Sequence, residues 1–163
     1  MGRTLAAIPA YNEEVAIGSV VLRCLPFVDE VLVVDDGSQD DTARVAALAG
    51  AVVHRHEENR GKGSALQDAL NYAREEGFDA AVFLDGDGQH NAEDVPRLLA
   101  PVFNGNADFA LGVRRWSTSG IPTYRRAGQR FLDYLTAIGG GGGVTDSQCG
   151  FRALSRNAIE SLV

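Results

Sequence analysis

An α/β fold with a mostly parallel sheet is predicted by three observations. Short β-branched runs alternate with stretches of helical periodicity along nearly the whole chain. Residues 80–84 are apolar throughout, as strands covered on both faces are. Pro26, Gly50 and Gly77 fall between the runs and punctuate them.

The elements follow in order. Leu5-Ala6-Ala7-Ile8 reads as a buried strand stopped by Pro9. Asn12 is expected to cap a helix with Glu13 and Glu14 in its first turn and Val15, Ile17, Val20, Val21, Cys24 and Leu25 on its apolar face. Residues 31–34 form a second strand, closed by Asp35-Asp36-Gly37-Ser38, with Ser38 able to cap the helix at about 41–48. A third strand covers 51–54. Gly61-Lys62-Gly63 opens a helix with Ala65, Leu66, Ala69, Leu70 and Ala73 on one face. After the strand at 80–84, Asn91 and Asp94 resemble an N-cap before Val95, Leu98, Leu99 and Val102. A fifth strand is expected at 109–113 and a helix near 124–138. The glycine run 139–143 is too costly in backbone entropy for either element and reads as a mobile loop. A last strand over 149–154 and a helix from 157 complete the pattern.

A length of 163 residues predicts one domain. No apolar run is long enough for a membrane span. Two cysteines, Cys24 and Cys149, cannot make a disulfide framework, which points to a reduced cytoplasmic setting. A net charge of −7 argues against nucleic-acid binding. The charge is segregated, because residues 113–130 carry five arginines and no acid. An acidic chain with one basic stretch suits an anionic group held there, and guanidinium forks suit phosphate. Trp116 and Ile121 beside these arginines could touch lipid or pack internally.

In parallel sheets ligands sit beyond the carboxyl ends of the strands. Those positions hold Pro9-Ala10-Tyr11-Asn12-Glu13, Asp35-Asp36-Gly37-Ser38 and Asp85-Gly86-Asp87-Gly88-Gln89-His90. Asp85 and Asp87, two carboxylates across a glycine, can face one hard divalent cation such as Mg²⁺ or Mn²⁺, with Gln89 and His90 near enough to complete or orient the shell. Asp36 offers a carboxylate to a ribose or base edge, and Tyr11 can stack on a base. Lys62, the chain's single lysine, lies at a helix N-terminus, where an anion is favoured. His54, His56 and His90 show no zinc spacing, and a His-x-His pair lacks a third ligand in the sequence.

These blocks, with Asn59-Arg60-Gly61-Lys62-Gly63-x-Ala65 between them, resemble a family-2 glycosyltransferase. Asp-Gly-Asp-Gly-Gln-His at 85–90, Gly112-x-Arg114 and Asp146-x-x-x-Gly150-Phe151-Arg152 are most similar to its polyprenyl-phosphate (dolichol-phosphate) mannosyl- or glucosyltransferase branch. The resemblance implies a GT-A fold, a nucleotide-diphosphate sugar donor and inversion at the anomeric carbon, with a donor-binding part at about 1–112 and an acceptor-side part at about 113–163. It places Pro9, Tyr11, Glu13 and Asp36 on the nucleoside, and Asp85, Asp87 and Gln89 on Mg²⁺ or Mn²⁺. Arg114 with Arg125 or Arg126 would hold a polyprenyl phosphate presented at the cytoplasmic face of a membrane. A phosphate acceptor is already a nucleophile at pH 7, whereas a sugar hydroxyl would need a base, for which Asp146 is the late-chain candidate. The alternatives are a family-2 enzyme with a hydroxyl acceptor and a nucleotide-sugar-binding domain without turnover. The chain stops soon after Arg152, where that branch carries further helices, so the fold is expected to be short at its C-terminal end.

Overall fold

The computed structural model describes residues 2–112 and 150–163. The arginines at 114–130, the expected helix at 124–138, the glycine run, Asp146 and Cys149 lie outside the described residues. Residues 2–111 and 150–163 belong to one compact unit.

Its centre is a six-stranded sheet. The strands are β1 (Thr4–Ala10), β2 (Glu30–Asp35), β3 (Val52–Arg55), β4 (Ala80–Phe83), β5 (Phe109–Leu111) and β6 (Arg152–Ser155). They lie in the order β3-β2-β1-β4-β6-β5. The β1–β4 set is parallel, and β6 runs antiparallel between β4 and β5. Residues 150–163, grouped by sequence with the acceptor side, therefore complete this same sheet.

The helices are α1 (Ile17–Cys24), α2 (Thr42–Leu48), α3 (Lys62–Glu75), α4 (Val95–Phe103) and α5 (Arg156–Ser161). Helices α3 and α5 cover one face, on a core of Leu5, Ala7, Leu32, Val34, Ala81 and Phe83. Side chains alternate along a strand, so Ala6, Ile8, Val31, Val33 and Val82, also buried, face the other side. There α1, α2 and α4 pack. Helix α3 meets the sheet through Ala65, Ala69 and Ala73, all fully buried, with Leu66 and Leu70 flanking. Their spacing of four keeps small side chains on one stripe and lets the helix approach closely. The cap at Asn91 is present, its side chain accepting from the Glu93 amide ahead of α4.

Two local expectations change. Pro9 lies inside β1 rather than after it. The Leu84 amide donates to the Ala7 carbonyl, so odd positions of β1 face β4. Pro9 is one step past that ladder, and its missing N–H costs no strand pairing there. Asn12 does not cap a helix. It adopts φ +55°, and α1 begins only at Ile17, leaving Val15 94% exposed. The reason is tertiary: the Asn12 side chain accepts from the Gln39 amide (2.9 Å), and its own amide donates to the Ser38 hydroxyl (2.9 Å). That contact also takes Ser38 away from capping α2, where no side-chain cap forms.

Candidate functional site

The carboxyl ends of β1, β2 and β4 open onto one cleft of about 390 Å³. Pro9, Tyr11, Glu13, Asp36, Asp85 and Asp87 line it, and Lys62 closes one side from the start of α3. Asn59 and Gly61 supply the adjoining wall. Seven positions read from sequence are thus brought together. Gln89 is exposed and does not line the cleft; its amide donates to Asp87 Oδ1 (2.9 Å). Arg114, Arg125, Arg126 and Asp146 lie outside the described residues.

The loop carrying Tyr11 and Glu13 is fastened to the one after β2. The Glu13 amide donates to Thr42 Oγ1 (2.8 Å) and the Glu14 amide to Asp40 Oδ2 (3.2 Å). In return the Asp41 amide donates to Glu14 Oε2 (2.9 Å). Orphan backbone donors of each loop are satisfied by side chains of the other. Gly37, at φ +73°, closes the set, because a Cβ there would strike the backbone of Glu58 and Asn59.

Asp36 is buried beneath the third loop. Its Oδ1 accepts from His56 Nδ1 (2.6 Å) and the Arg60 amide (2.8 Å), and its Oδ2 from the Gly61 amide (2.8 Å). Burial disfavours its charge, but those donors outweigh burial and hold the carboxyl below its usual range. Sequence marks Asp36 as a nucleoside contact; what the structure shows is Asp36 anchoring the loop that presents Lys62. Behind it, His56 Nε2 meets Asp68 Oδ2 at 2.8 Å, a partner that sequence reasoning missed because it sits on α3.

Asp85 is half-buried and doubly held. His90 Nε2 lies 3.2 Å from Oδ2 and the Lys62 ammonium 2.5 Å from Oδ1. His90 and then Lys62 overcome burial and keep Asp85 ionised far below the ordinary carboxylate range. His90 is itself buried and stacks on Phe151, with centroids 5.3 Å apart and planes at 25°. Gly150 is required beside it, because any Cβ would strike the Asp85 carboxylate. The Gly-Phe-Arg block thus buttresses the Asp-Gly-Asp block.

The donor set suits a hard divalent cation. Asp85 is ionised, Asp87 is exposed two residues on, and Glu13 shares the cleft. Burial raises the Glu13 pKa, and the negative charges of Asp87, Asp40 and Asp85 raise it further. Apart from Asp36, whose carboxylate is met by His56 and two amides, three carboxylates share the cleft with one lysine, an imbalance that a dication corrects.

Comparison with known proteins agrees with this geometry. Residues 6–163 match the family described as Glycosyl transferase family 2. The chain is 33% identical over 176 residues to a UDP-N-acetylglucosamine–dolichyl-phosphate N-acetylglucosaminyltransferase of Methanococcus voltae, covering 95% of this chain and 70% of that protein. It is 35% identical to the polyprenol monophosphomannose synthase of Mycolicibacterium smegmatis, covering 98% and 64%. Among solved structures, glucosyl-3-phosphoglycerate synthase of Mycobacterium tuberculosis, crystallised with Mn²⁺, UDP-glucose and glycerol 3-phosphate, superposes with TM-score 0.75 at 29% identity. That match covers 96% of this chain and 57% of that one, so this chain spans little more than half the length of its structural neighbour. The mixed α/β sheet expected from sequence is the GT-A architecture of these neighbours. From its matched motifs, its fold and the cleft they build, the chain belongs to glycosyl transferase family 2.

Proposed function

We propose that the chain is the catalytic domain of a metal-dependent, inverting glycosyltransferase that moves a hexose from a nucleotide-diphosphate sugar to a polyprenyl phosphate. One observation carries this reading: the nucleoside, diphosphate and metal candidates converge on a single cleft at the strand ends. Tyr11, 44% exposed at its rim, offers a stacking face to a base. Asp36 and Pro9 border the nucleoside side. Lys62, on an exposed side chain, is free to move from Asp85 to the donor diphosphate.

Asp85 and Asp87, which line the cleft, are the residues that would hold Mg²⁺ or Mn²⁺, with Gln89 reaching the pair only through its backbone amide on Asp87. The bound ion would neutralise charge growing on the leaving diphosphate. His90 keeps Asp85 ionised and oriented for that task. An acceptor phosphate oxygen, already anionic, attacks the anomeric carbon opposite the diphosphate. The new C–O bond forms as the old one breaks, and the nucleoside diphosphate departs with the electron pair. No proton has to be removed. Arg114 with Arg125 or Arg126 is assigned to the acceptor phosphate, which orients the attack.

The relatives named for dolichyl and polyprenyl phosphates support this acceptor. Among the described residues no helix is long and apolar enough to cross a membrane. A hydroxyl acceptor is the second reading, favoured by structural neighbours crystallised with UDP-glucose and phosphoglyceric acid. Asp146 would then serve as base. The deciding assay offers labelled UDP- and GDP-hexoses with Mn²⁺ and either polyprenyl phosphate or phosphoglycerate. A labelled lipid is expected, lost in Arg114→Ala/Arg126→Ala while donor binding persists. Donor binding without transfer to any acceptor would reduce the chain to a nucleotide-sugar-binding domain.

A further inference from the structure

A second group of metal-ligating side chains lies behind the cleft. His54 and His56 alternate with Arg55 at the end of β3, the edge strand, and so share a face. Asp68 approaches that face from α3. One ligand atom from each of the three lies within 4.8 Å of the others. The two imidazoles meet edge to face, with centroids 5.7 Å apart and planes at 86°. His54 is exposed, which leaves an entry path and room for a water ligand. Arg60 is the nearby competing cation, its Nη1 3.7 Å from Asp68 Oδ2 on a largely exposed side chain able to swing away.

We propose that His54, His56 and Asp68 form a site for a borderline transition-metal dication of the Zn²⁺ class, separate from the Asp85–Asp87 pair. The hydrogen bonds of His56 point to it. With Nδ1 donating to the Asp36 carboxylate at 2.6 Å, a neutral ring would carry its lone pair on Nε2. That lone pair faces Asp68 Oδ2 at 2.8 Å. Two lone pairs at this distance repel unless a cation lies between or beside them. A proton would satisfy the pair alone; a metal accounts for the third donor, His54. The Asp36 contact is the outer partner that ligating histidines carry, fixing the tautomer and raising ligand basicity. Two imidazoles and one carboxylate select Zn²⁺ over Mg²⁺ or Ca²⁺, which prefer all-oxygen shells.

The site would brace the donor loop. Asp36 is shared between His56 and the amides of Arg60 and Gly61, so fixing His56 fixes the turn ahead of Lys62. This role is the same whichever acceptor the enzyme uses.

The test uses the full chain stripped with a chelator and titrated with Zn²⁺ against a chromophoric competitor, and with Co²⁺ for its visible spectrum. An Asp85→Asn/Asp87→Asn variant silences the other acidic pair. It is expected to keep one tight Zn²⁺ and the intense Co²⁺ bands of a four-coordinate, nitrogen-containing site. His54→Ala, at an exposed position that leaves the fold intact, and Asp68→Asn should each weaken Zn²⁺ by about tenfold or more. In the Zn²⁺-loaded wild type, amide exchange at Arg60 and Gly61 should slow. Equal Zn²⁺ affinity in His54→Ala, loss of the metal with the Asp85/Asp87 variant, or no Zn²⁺ retained through gel filtration would each overturn the proposal. A proton would then be what joins His56 to Asp68.

Discussion

Replacing Lys62 by alanine should move two affinities in opposite directions. The Lys62 ammonium sits 2.5 Å from Asp85 Oδ1, on the carboxylate assigned to the metal. In the ligand-free protein it therefore competes with a dication for that oxygen. The lysine side chain is 58% exposed, so solvent screens the pair, and its loss is worth only about 0.2–1 kcal/mol. Removing it should tighten Mn²⁺ binding without nucleotide by up to about fivefold, since 1.4 kcal/mol is a factor of ten. His90 still holds Asp85, so the carboxylate stays in place. Nucleotide-sugar binding in the presence of Mn²⁺ should instead weaken by about 1.5–3 kcal/mol, the worth of a charged hydrogen bond. That corresponds to roughly 10- to 150-fold. Two calorimetric titrations suffice, Mn²⁺ alone and then UDP- or GDP-hexose at saturating Mn²⁺. If both affinities fall together, Lys62 is a structural brace for Asp85. If neither changes, it is a solvated side chain and the exchange of partners is wrong.

Three further outcomes are expected. Gly150→Ala should drive the Asp85 carboxylate aside, costing about 1–3 kcal/mol of stability and weakening Mn²⁺ binding; an unchanged melting temperature and an unchanged Mn²⁺ isotherm would show that the approach is not close. Asp36→Ala strands the His56 ring and the amides of Arg60 and Gly61. It should lower stability by about 2–4 kcal/mol, and hydrogen exchange should show those two amides opening first. Asp29 titrates below the usual aspartate range because the Thr4 hydroxyl and amide both donate to it. Its stabilisation is therefore complete above the unfolded chain's carboxylate range and disappears as pH falls through the folded value. Asp29→Asn should be less stable at pH 7 and should flatten the acid limb of a urea-midpoint curve measured against pH; a parallel curve would remove Asp29 from the acid response.

Strand and helix identities were legible because β1, β2, β4 and α3 carry unmixed periodicities, and the cleft was legible because parallel sheets place polar loops at one end. What escaped the sequence depended on distant partners. Asn12 followed by two glutamates has the local pattern of an N-cap, and only the arrival of Gln39 and Ser38 from the β2 end turns it into a clasp. Alternation within β6 could not reveal that it inserts between β4 and β5, since strand order is set by pairing rather than by pattern. The His-x-His pair looked incomplete because its third donor, Asp68, is offered from one face of α3. Phe151 looked like a motif residue; its work as a platform for His90 needs the fold.

The clasp between the loops after β1 and β2 also governs how this cleft can be redesigned. Tyr11 and Glu13 cannot be exchanged for another enzyme's nucleoside-binding segment by grafting residues 11–16 alone. Such a graft would keep the backbone donors of residues 12–14 but leave the Gln39 and Asp41 amides without the Asn12 and Glu14 side chains that accept from them. Nor can the second loop travel without the third, because Gly37 rests on the backbone of Glu58 and Asn59. On the proposed assignment of Tyr11, Glu13 and Asp36 to the nucleoside, base preference would be inherited as a three-loop cassette. Chimeras that transfer all three together should fold and carry the donor's preference, whereas single-loop exchanges should lose stability before they change specificity.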